Sequence, residues 1–131
     1  MDSQTYRSSP PTVLIVDDEH TLRQLMKRAL EERGYRVIAA EDGATAWELL
    51  QAGATIDAVV TDVAMAKMTG LELAALVATL PNAPPVVLVS GFRQDTSAPA
   101  SAFIPKPFLP DQLTNTVGRL LSDLSSARPI H

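Results

Sequence analysis

Five polar residues stand at or just after the ends of short apolar runs in this chain of 131 residues. Three are acids, Asp17, Asp18 and Asp62, and the others are a hydroxyl residue, Ser90, and a base, Lys106. If the fold brings the acids together, their like charges repel one another unless a cation lies between them. Carboxylate oxygens with room for water favour Mg²⁺, with Mn²⁺ as an alternative.

A carboxylate that is close to a divalent cation, an ammonium group and a hydroxyl can accept a phosphoryl group. The cation and the amine offset negative charge on the phosphoryl oxygens while the carboxylate attacks in line. Each residue also has an ordinary structural explanation when it is taken alone. Asp17 and Asp18 could simply be the acidic start of a helix, and Lys106 could be a solvated residue of a turn. Their joint occurrence is what indicates chemistry.

The elements that must position these residues alternate along the chain between strands and helices. Apolar runs rich in β-branched residues predict the strands, and apolar residues at helical spacing predict the helices. Only eleven residues, 91–101, connect the fourth strand to the fifth, so we expect a turn or an irregular loop in place of a full helix. The predicted strands are 12–16, 35–40, 56–60 continuing to Asp62, 86–89 and 102–104, and the predicted helices are 20–33, 44–51, 71–80 and about 110–125.

Strands that alternate with helices indicate a parallel sheet covered by helices on both faces. We expect an α/β flavodoxin-like doubly wound (βα)5 sandwich, with the strand order 2-1-3-4-5. In open sheets of this kind, ligands bind beyond the carboxyl ends of the strands. That edge is where the three acids, Ser90 and Lys106 would meet.

Length and composition favour a single globular domain. The chain is long enough to bury a core, and the absence of cysteine excludes disulfide and thiolate chemistry. A net charge of -4 without a basic stripe argues against direct nucleic-acid binding. No apolar run is long enough to span a membrane, and we expect a cytoplasmic protein. We expect residues 1–11 to form a flexible tail, residues 12–125 the folded domain and residues 126–131 a short polar tail.

Four segments resemble the receiver domain of response regulators, and the resemblance extends over about residues 12–125. The segments are VLIVDDE (13–19), AVVTDVAMAKMTG (58–70), VVLVSG (86–91) and FIPKPF (103–108). The resemblance implies that Asp62 accepts a phosphoryl group from a histidine kinase or a histidine phosphotransfer protein. It implies a signalling domain that switches a protein-interaction surface toward an unknown downstream partner, with at most slow self-dephosphorylation as enzymatic activity.

The resemblance also assigns a role to each residue of the site. Mg²⁺ would be held by Asp17, Asp18, Asp62 and the backbone carbonyl of Ala64. Ser90 would donate a hydrogen bond to the phosphoryl group, and Lys106 would form an ion pair with it. Phe103 stands at the switch-aromatic position of the family. The peptide bond between Lys106 and Pro107 would be cis.

The switch implied by the resemblance has a simple physical basis. A bound phosphoryl group adds negative charge and acceptor oxygens, which draw Ser90 and Lys106 toward them. Movement of Ser90 opens space into which Phe103 can rotate. A local electrostatic event would then reshape the face near the fifth strand.

The chain departs from the family pattern in the residues around the acceptor. Ala66 stands where the family commonly has a proline. Ala64 and Phe92 lie two residues after Asp62 and Ser90, and neither side chain can orient an attacking water. We therefore expect a phosphoryl group on Asp62 to decay slowly.

Other functions stay open at this point. The chain could be the receiver module of a hybrid histidine kinase, a phosphate sink, or a degenerate receiver that is not phosphorylated. A small phosphohydrolase would usually need an acid–base aspartate where Ala64 stands. A nucleotide- or flavin-binding domain on the same fold would need a glycine-rich loop after the first strand, and this chain has none there.

Overall fold

The structure, a computed structural model, describes residues 10–91 and 99–127. Strands and helices alternate through residues 10–91, and residues 99–127 add one strand and one helix. In chain order the elements are β1 Thr12–Val16, α1 His20–Glu32, β2 Arg36–Ala40, α2 Gly43–Gln51, β3 Ala58–Asp62, α3 Gly70–Val77, β4 Val86–Ser90, β5 Ala102–Pro105 and α4 Pro110–Ala127.

The five strands form one parallel sheet in the order β2-β1-β3-β4-β5. Every residue of β1, β3 and β4 is buried, as expected for central strands of a sheet covered on both faces. The predicted flavodoxin-like fold and strand order are confirmed.

Each face of the sheet contributes to its own apolar core, because successive side chains of a strand point to opposite faces. Leu14 and Val16 pack with buried residues of α2 and α3. Val13 and Ile15 pack with buried residues of α1 and α4. The two layers cover both faces of the central strands, so the residues at the carboxyl ends of these strands follow fully buried segments.

Several predicted boundaries differ from those of the structure. β3 begins at Ala58 rather than at residue 56, and the Asp57 carboxylate just before it accepts a hydrogen bond from the Thr12 N–H at 2.7 Å. α3 ends at Val77 rather than at residue 80. A turn follows the helix, and it includes Asn82, whose φ is 58°. α4 runs to Ala127, so it includes two residues that were assigned to the C-terminal tail.

The connection between β4 and β5 is described only at its ends. Our expectation of a reduced fourth helix concerns residues 91–101, and residues 92–98 lie outside the described ranges. Most of the two predicted tails also lies outside them. Within residues 10–91 and 99–127, no helix has both the length and the apolar character needed to cross a membrane.

Candidate functional site

Three acids meet at the carboxyl edge of the sheet. Val16 of β1 pairs with Thr61 of β3, so Asp17 and Asp62, which follow them, come out side by side. Asp18 is the next residue, and one carboxylate oxygen of each of the three acids lies within 4.8 Å of the others. Asp17 and Asp62 are buried, whereas Asp18 is exposed. The structure thus brings together the three carboxylates that the sequence singled out.

The three carboxylates of the cluster repel one another when no cation lies between them. Burial raises the pKa of Asp17, and the neighbouring carboxylates of Asp62 and Asp18 raise it further. The Glu19 N–H and the Lys106 amine act in the opposite direction. Like charges in a desolvated place are tolerated best when a cation shares the site.

Within the described part of the chain, two oxygens of the cluster have no hydrogen-bond partner. They are Asp17 Oδ2 and Asp62 Oδ1, and both are buried. Buried acceptors without a donor are costly and rare. These two oxygens and the carboxylate of the exposed Asp18 form a donor set that fits a hard divalent cation. These residues could therefore bind a divalent metal ion.

The loop after β3 touches the cluster through Ala66. The Ala66 N–H donates to Asp18 Oδ2 at 3.4 Å, a long hydrogen bond. A proline at this position would have no N–H to donate. The departure from the family pattern therefore adds a link between the loop and Asp18. Ala64, in the same loop, is exposed and stands two residues after Asp62.

Lys106 approaches the cluster from the end of β5. Its Nζ lies 3.2 Å from Asp62 Oδ1, close enough for an ion pair, although the geometry is not that of a directed hydrogen bond. Its backbone N–H donates to the Ser90 carbonyl at 2.7 Å. The peptide between Lys106 and Pro107 is cis. The base is therefore held beside the central acid by its own backbone as well as by charge.

Ser90 and Phe103 occupy neighbouring strands next to this pair. Ser90 is buried at the end of β4, opposite Pro105 of β5. Phe103 is opposite Leu88 and packs, partly buried, against the core on the α2 and α3 side. Phe92, which the sequence analysis considered together with Ala64, lies outside the described residues.

The backbone of the central acid is supported by two residues that the sequence analysis did not select. The Thr61 hydroxyl donates to the Asp62 carbonyl at 3.0 Å. A Cβ added to Gly70, the first residue of α3, would overlap that same carbonyl oxygen. The start of α3 is fixed by a capping box between Thr69 and Glu72, which the pattern Thr-x-x-Glu could have revealed.

Comparisons with known proteins agree with this geometry. Residues 13–118 match the sequence model of the response regulator receiver domain. Over 129 residues the chain is 40% identical to the sensor kinase CckA of Brucella abortus, with 92% of this chain and 14% of the kinase covered. It is 30% identical to the response regulator receiver protein CpdR of Brucella abortus, with 83% of this chain and 95% of CpdR covered.

A solved structure shares both the fold and part of the sequence. The response regulator TrrA of Thermotoga maritima, in complex with Mg²⁺ and BeF, has a TM-score of 0.77 and 32% identity, with 84% of this chain and 98% of that chain covered. The chain spans about half of the length, or less, of several curated relatives. Receiver domains are signalling domains that interact with histidine kinases. On the strand order, the acidic cluster and the match over residues 13–118, this chain belongs to the response regulator receiver domain family.

Proposed function

We propose that the chain is a phosphoacceptor of a two-component phosphorelay and that Asp62 is the acceptor residue. The phosphoryl donor would be a histidine kinase or a histidine phosphotransfer protein. One observation carries this proposal: Asp62 is buried, with two more carboxylates within 4.8 Å and the Lys106 amine 3.2 Å from its Oδ1. This arrangement has the charges that phosphoryl transfer to a carboxylate needs.

The transfer itself requires little from the protein beyond position and charge. A carboxylate oxygen of Asp62 forms a bond to phosphorus while the bond from phosphorus to the donor's histidine nitrogen breaks, and the nitrogen keeps the electron pair. Mg²⁺, with Mn²⁺ as an alternative, would be held by Asp17, Asp18, Asp62 and the carbonyl of Ala64. When bound, this cation supplies charge neutralisation at the phosphoryl oxygens.

Lys106 and Ser90 would bind the oxygens of the phosphoryl group. The Lys106 amine pairs with Asp62 in the unphosphorylated protein and can pair with a phosphoryl oxygen after transfer. The Ser90 hydroxyl would donate to another phosphoryl oxygen. As Ser90 moves, Phe103, which is only partly buried, would rotate and change the face formed by β5.

The proposal is for signalling rather than for turnover. A phosphohydrolase needs an acid–base group close to the phosphoryl group. The exposed Ala64 occupies the place where such enzymes usually carry an aspartate. A degenerate receiver is disfavoured as well, because the predicted acids and Lys106 are all present and close together.

Two settings for the domain follow from the relatives. The similarity to CckA favours a receiver module within a longer sensor kinase, and the similarity to CpdR favours a receiver that acts alone. In both settings we propose that residues 12–125 form the receiver domain. A phosphate-sink role would use the same chemistry at Asp62.

Acetyl phosphate is a suitable small donor for testing the proposal. We expect the wild-type protein, incubated with Mg²⁺ and acetyl phosphate, to gain the mass of one phosphoryl group. Asp62→Ala should gain none, and removal of Mg²⁺ by a chelator should abolish the gain. Glu32→Gln, which alters an exposed acid at the end of α1, is the matched control and should be modified like the wild type. A full mass gain in Asp62→Ala would overturn the assignment.

A further inference from the structure

Arg23 of α1 makes a contact that the proposed function does not use. We infer that Arg23 is a positioning residue for Asp17, and that it controls how well the acidic cluster binds a divalent cation. The inference rests on the proposed function, because it concerns the same cation site. Arg23 would act through the backbone of Asp17, without touching the cation or Asp62.

The contact is short and specific. Arg23 Nη1 donates to the carbonyl oxygen of Asp17 at 2.8 Å, and Nη2 lies 3.1 Å from His20 Nδ1. The backbone N–H of Arg23 donates to the Glu19 carbonyl at 3.0 Å. Arg23 is half-buried. A planar guanidinium held on both of its terminal nitrogens has a fixed orientation, which a flexible ammonium group would not have.

All polar atoms of Asp17 except one are engaged by the surrounding chain. Its N–H donates to the Ala40 carbonyl at 3.2 Å, and its carbonyl accepts from Arg23. Its Oδ1 accepts from the Glu19 N–H at 2.8 Å. The remaining oxygen, Oδ2, is buried and has no hydrogen-bond partner among residues 10–91 and 99–127. The bond to the carbonyl restricts the backbone of Asp17, and the Glu19 N–H then holds the carboxylate through Oδ1, so the two bonds together orient Oδ2.

Helix stability does not explain the position of Arg23. A basic residue near the N-terminus of a helix is unfavourable in the field of the helix dipole. Arg23 nevertheless lies close to the start of α1, and its guanidinium turns back to the end of β1. The structural role of Arg23 at this position is therefore its hydrogen bond to the Asp17 carbonyl.

Charge and position predict opposite effects of removing Arg23. The guanidinium is positive and close to the cluster, so it repels an incoming cation, and its loss by charge alone would strengthen Mg²⁺ binding. If Arg23 positions Asp17, its loss would weaken Mg²⁺ binding. The sign of the change in affinity therefore separates the two roles.

The experiment compares Arg23→Met with Arg28→Met in the whole chain. Arg28 is an exposed arginine of the same helix, so its variant removes the same charge without the contact to Asp17. Mg²⁺ alone is titrated and followed by amide chemical shifts. We expect roughly 10-fold weaker binding by Arg23→Met, as is typical when a group that orients a metal ligand is removed. Arg28→Met should bind as well as the wild type or slightly better.

Two further measurements separate positioning from a general loss of structure. In the metal-free protein, the Glu19 amide should exchange its hydrogen faster in Arg23→Met than in Arg28→Met. In an Asp17→Asn background, Arg23→Met should cause no additional loss of Mg²⁺ affinity, because the positioned ligand is already changed. If Arg23→Met fails to fold, Arg23→Gln replaces it with the same expected direction.

The outcomes distinguish this inference from the proposed function. Mg²⁺ binding by Arg23→Met that equals or exceeds that of Arg28→Met would overturn the positioning role of Arg23. If Arg23→Met lowered Mg²⁺ affinity by the same factor in the wild-type and Asp17→Asn backgrounds, the positioning role would be overturned as well. If the wild type itself shows no saturable response to Mg²⁺, the proposed cation site is wrong.

Discussion

The amine of Lys106 lies 3.2 Å from Asp62 Oδ1, although Asp62 ends β3, Lys106 follows β5, and β4 lies between these strands in the sheet. The pairing depends on the backbone of the β5 end, where the Lys106 N–H is bound to the Ser90 carbonyl. It places the positive charge of the site next to a carboxylate oxygen that has no hydrogen-bond partner among the described residues.

Replacing Lys106 should expose the repulsion among the acids. We expect Lys106→Met to lower the melting temperature of the metal-free protein, because the amine partly neutralises the cluster. Added Mg²⁺ should reduce the difference from the wild type, since the cation takes over that neutralisation. Thermal unfolding with and without Mg²⁺ measures both effects.

Lys27→Met is the control for loss of a lysine. Lys27 pairs with Glu31 at 3.1 Å on the surface of α1, where an ion pair contributes little. The melting temperature of Lys27→Met should be close to that of the wild type, both with and without Mg²⁺. A loss for Lys106→Met that Mg²⁺ leaves unchanged would contradict a shared cation site.

Asp17 should make the stability of the metal-free protein depend on pH. Burial raises its pKa above the ordinary value of 3.8, so the folded protein binds the proton more tightly than the unfolded chain does. This stabilisation is present below pH 3.8 and is lost as the pH rises through the folded pKa. Asp17→Asn should therefore be more stable than the wild type at neutral pH, by about 1–3 kcal/mol if one close repulsion is removed.

Chemical denaturation across pH measures this difference, which should shrink as the pH falls toward 3.8. Asp42→Ala is a control with the opposite sign. The Thr45 N–H lowers the pKa of Asp42, which caps α2, so this variant should be less stable than the wild type at neutral pH. A metal-free Asp17→Asn protein that is less stable than the wild type at neutral pH would argue against the crowded acidic cluster.

The sequence predicts the site better than it predicts what supports the site. Asp17, Asp62 and Lys106 follow apolar runs, and parallel strands place such residues at one edge. The bond from Arg23 to the Asp17 carbonyl was not predictable, because a backbone acceptor has no residue type that marks it. Leu25 belongs to the apolar pattern of α1, yet the residue is 48% exposed. The pattern does not show which of its positions another element covers.

Loop geometry explains the other differences. α3 begins at Gly70, where the bare Cα lets the helix approach the Asp62 carbonyl, and spacing alone does not reveal this approach. The Ala66 N–H reaches Asp18 only because the loop after β3 folds toward β1. Each contact involves a backbone atom of this loop or helix, the Ala66 N–H or the Gly70 Cα, and residue type does not reveal where a backbone atom lies.

A side chain at Gly70 should displace the acceptor. We expect Gly70→Ala to lower the free energy of unfolding by about 1–3 kcal/mol, because its Cβ would overlap the Asp62 carbonyl oxygen. Phosphorylation by acetyl phosphate should also be slower. Gly118→Ala is the matched control: its Cβ would make an ordinary contact, 3.4 Å from the Tyr35 hydroxyl, and it lies inside α4. That variant should gain about 1 kcal/mol and be phosphorylated normally.

A polar side chain at position 64 should shorten the lifetime of the phosphoryl group. Ala64 is exposed two residues after Asp62, so Ala64→Asn can orient a water without disturbing the core. We expect several-fold faster decay after the donor is removed, followed by the loss of the added mass. Ala78→Asn, at the far end of α3, should leave the decay unchanged. A wild-type phosphoryl group that decays within seconds would contradict the expected slow hydrolysis.

The most direct test is to locate the phosphoryl group on the chain. After incubation with Mg²⁺ and acetyl phosphate, borohydride reduction converts an acyl phosphate on aspartate to homoserine, which peptide mass mapping can place. We expect homoserine at position 62 alone, and only when Mg²⁺ is present. Modification at Asp17, at Asp18 or at another residue instead, or none at all in a protein that binds Mg²⁺, would contradict it.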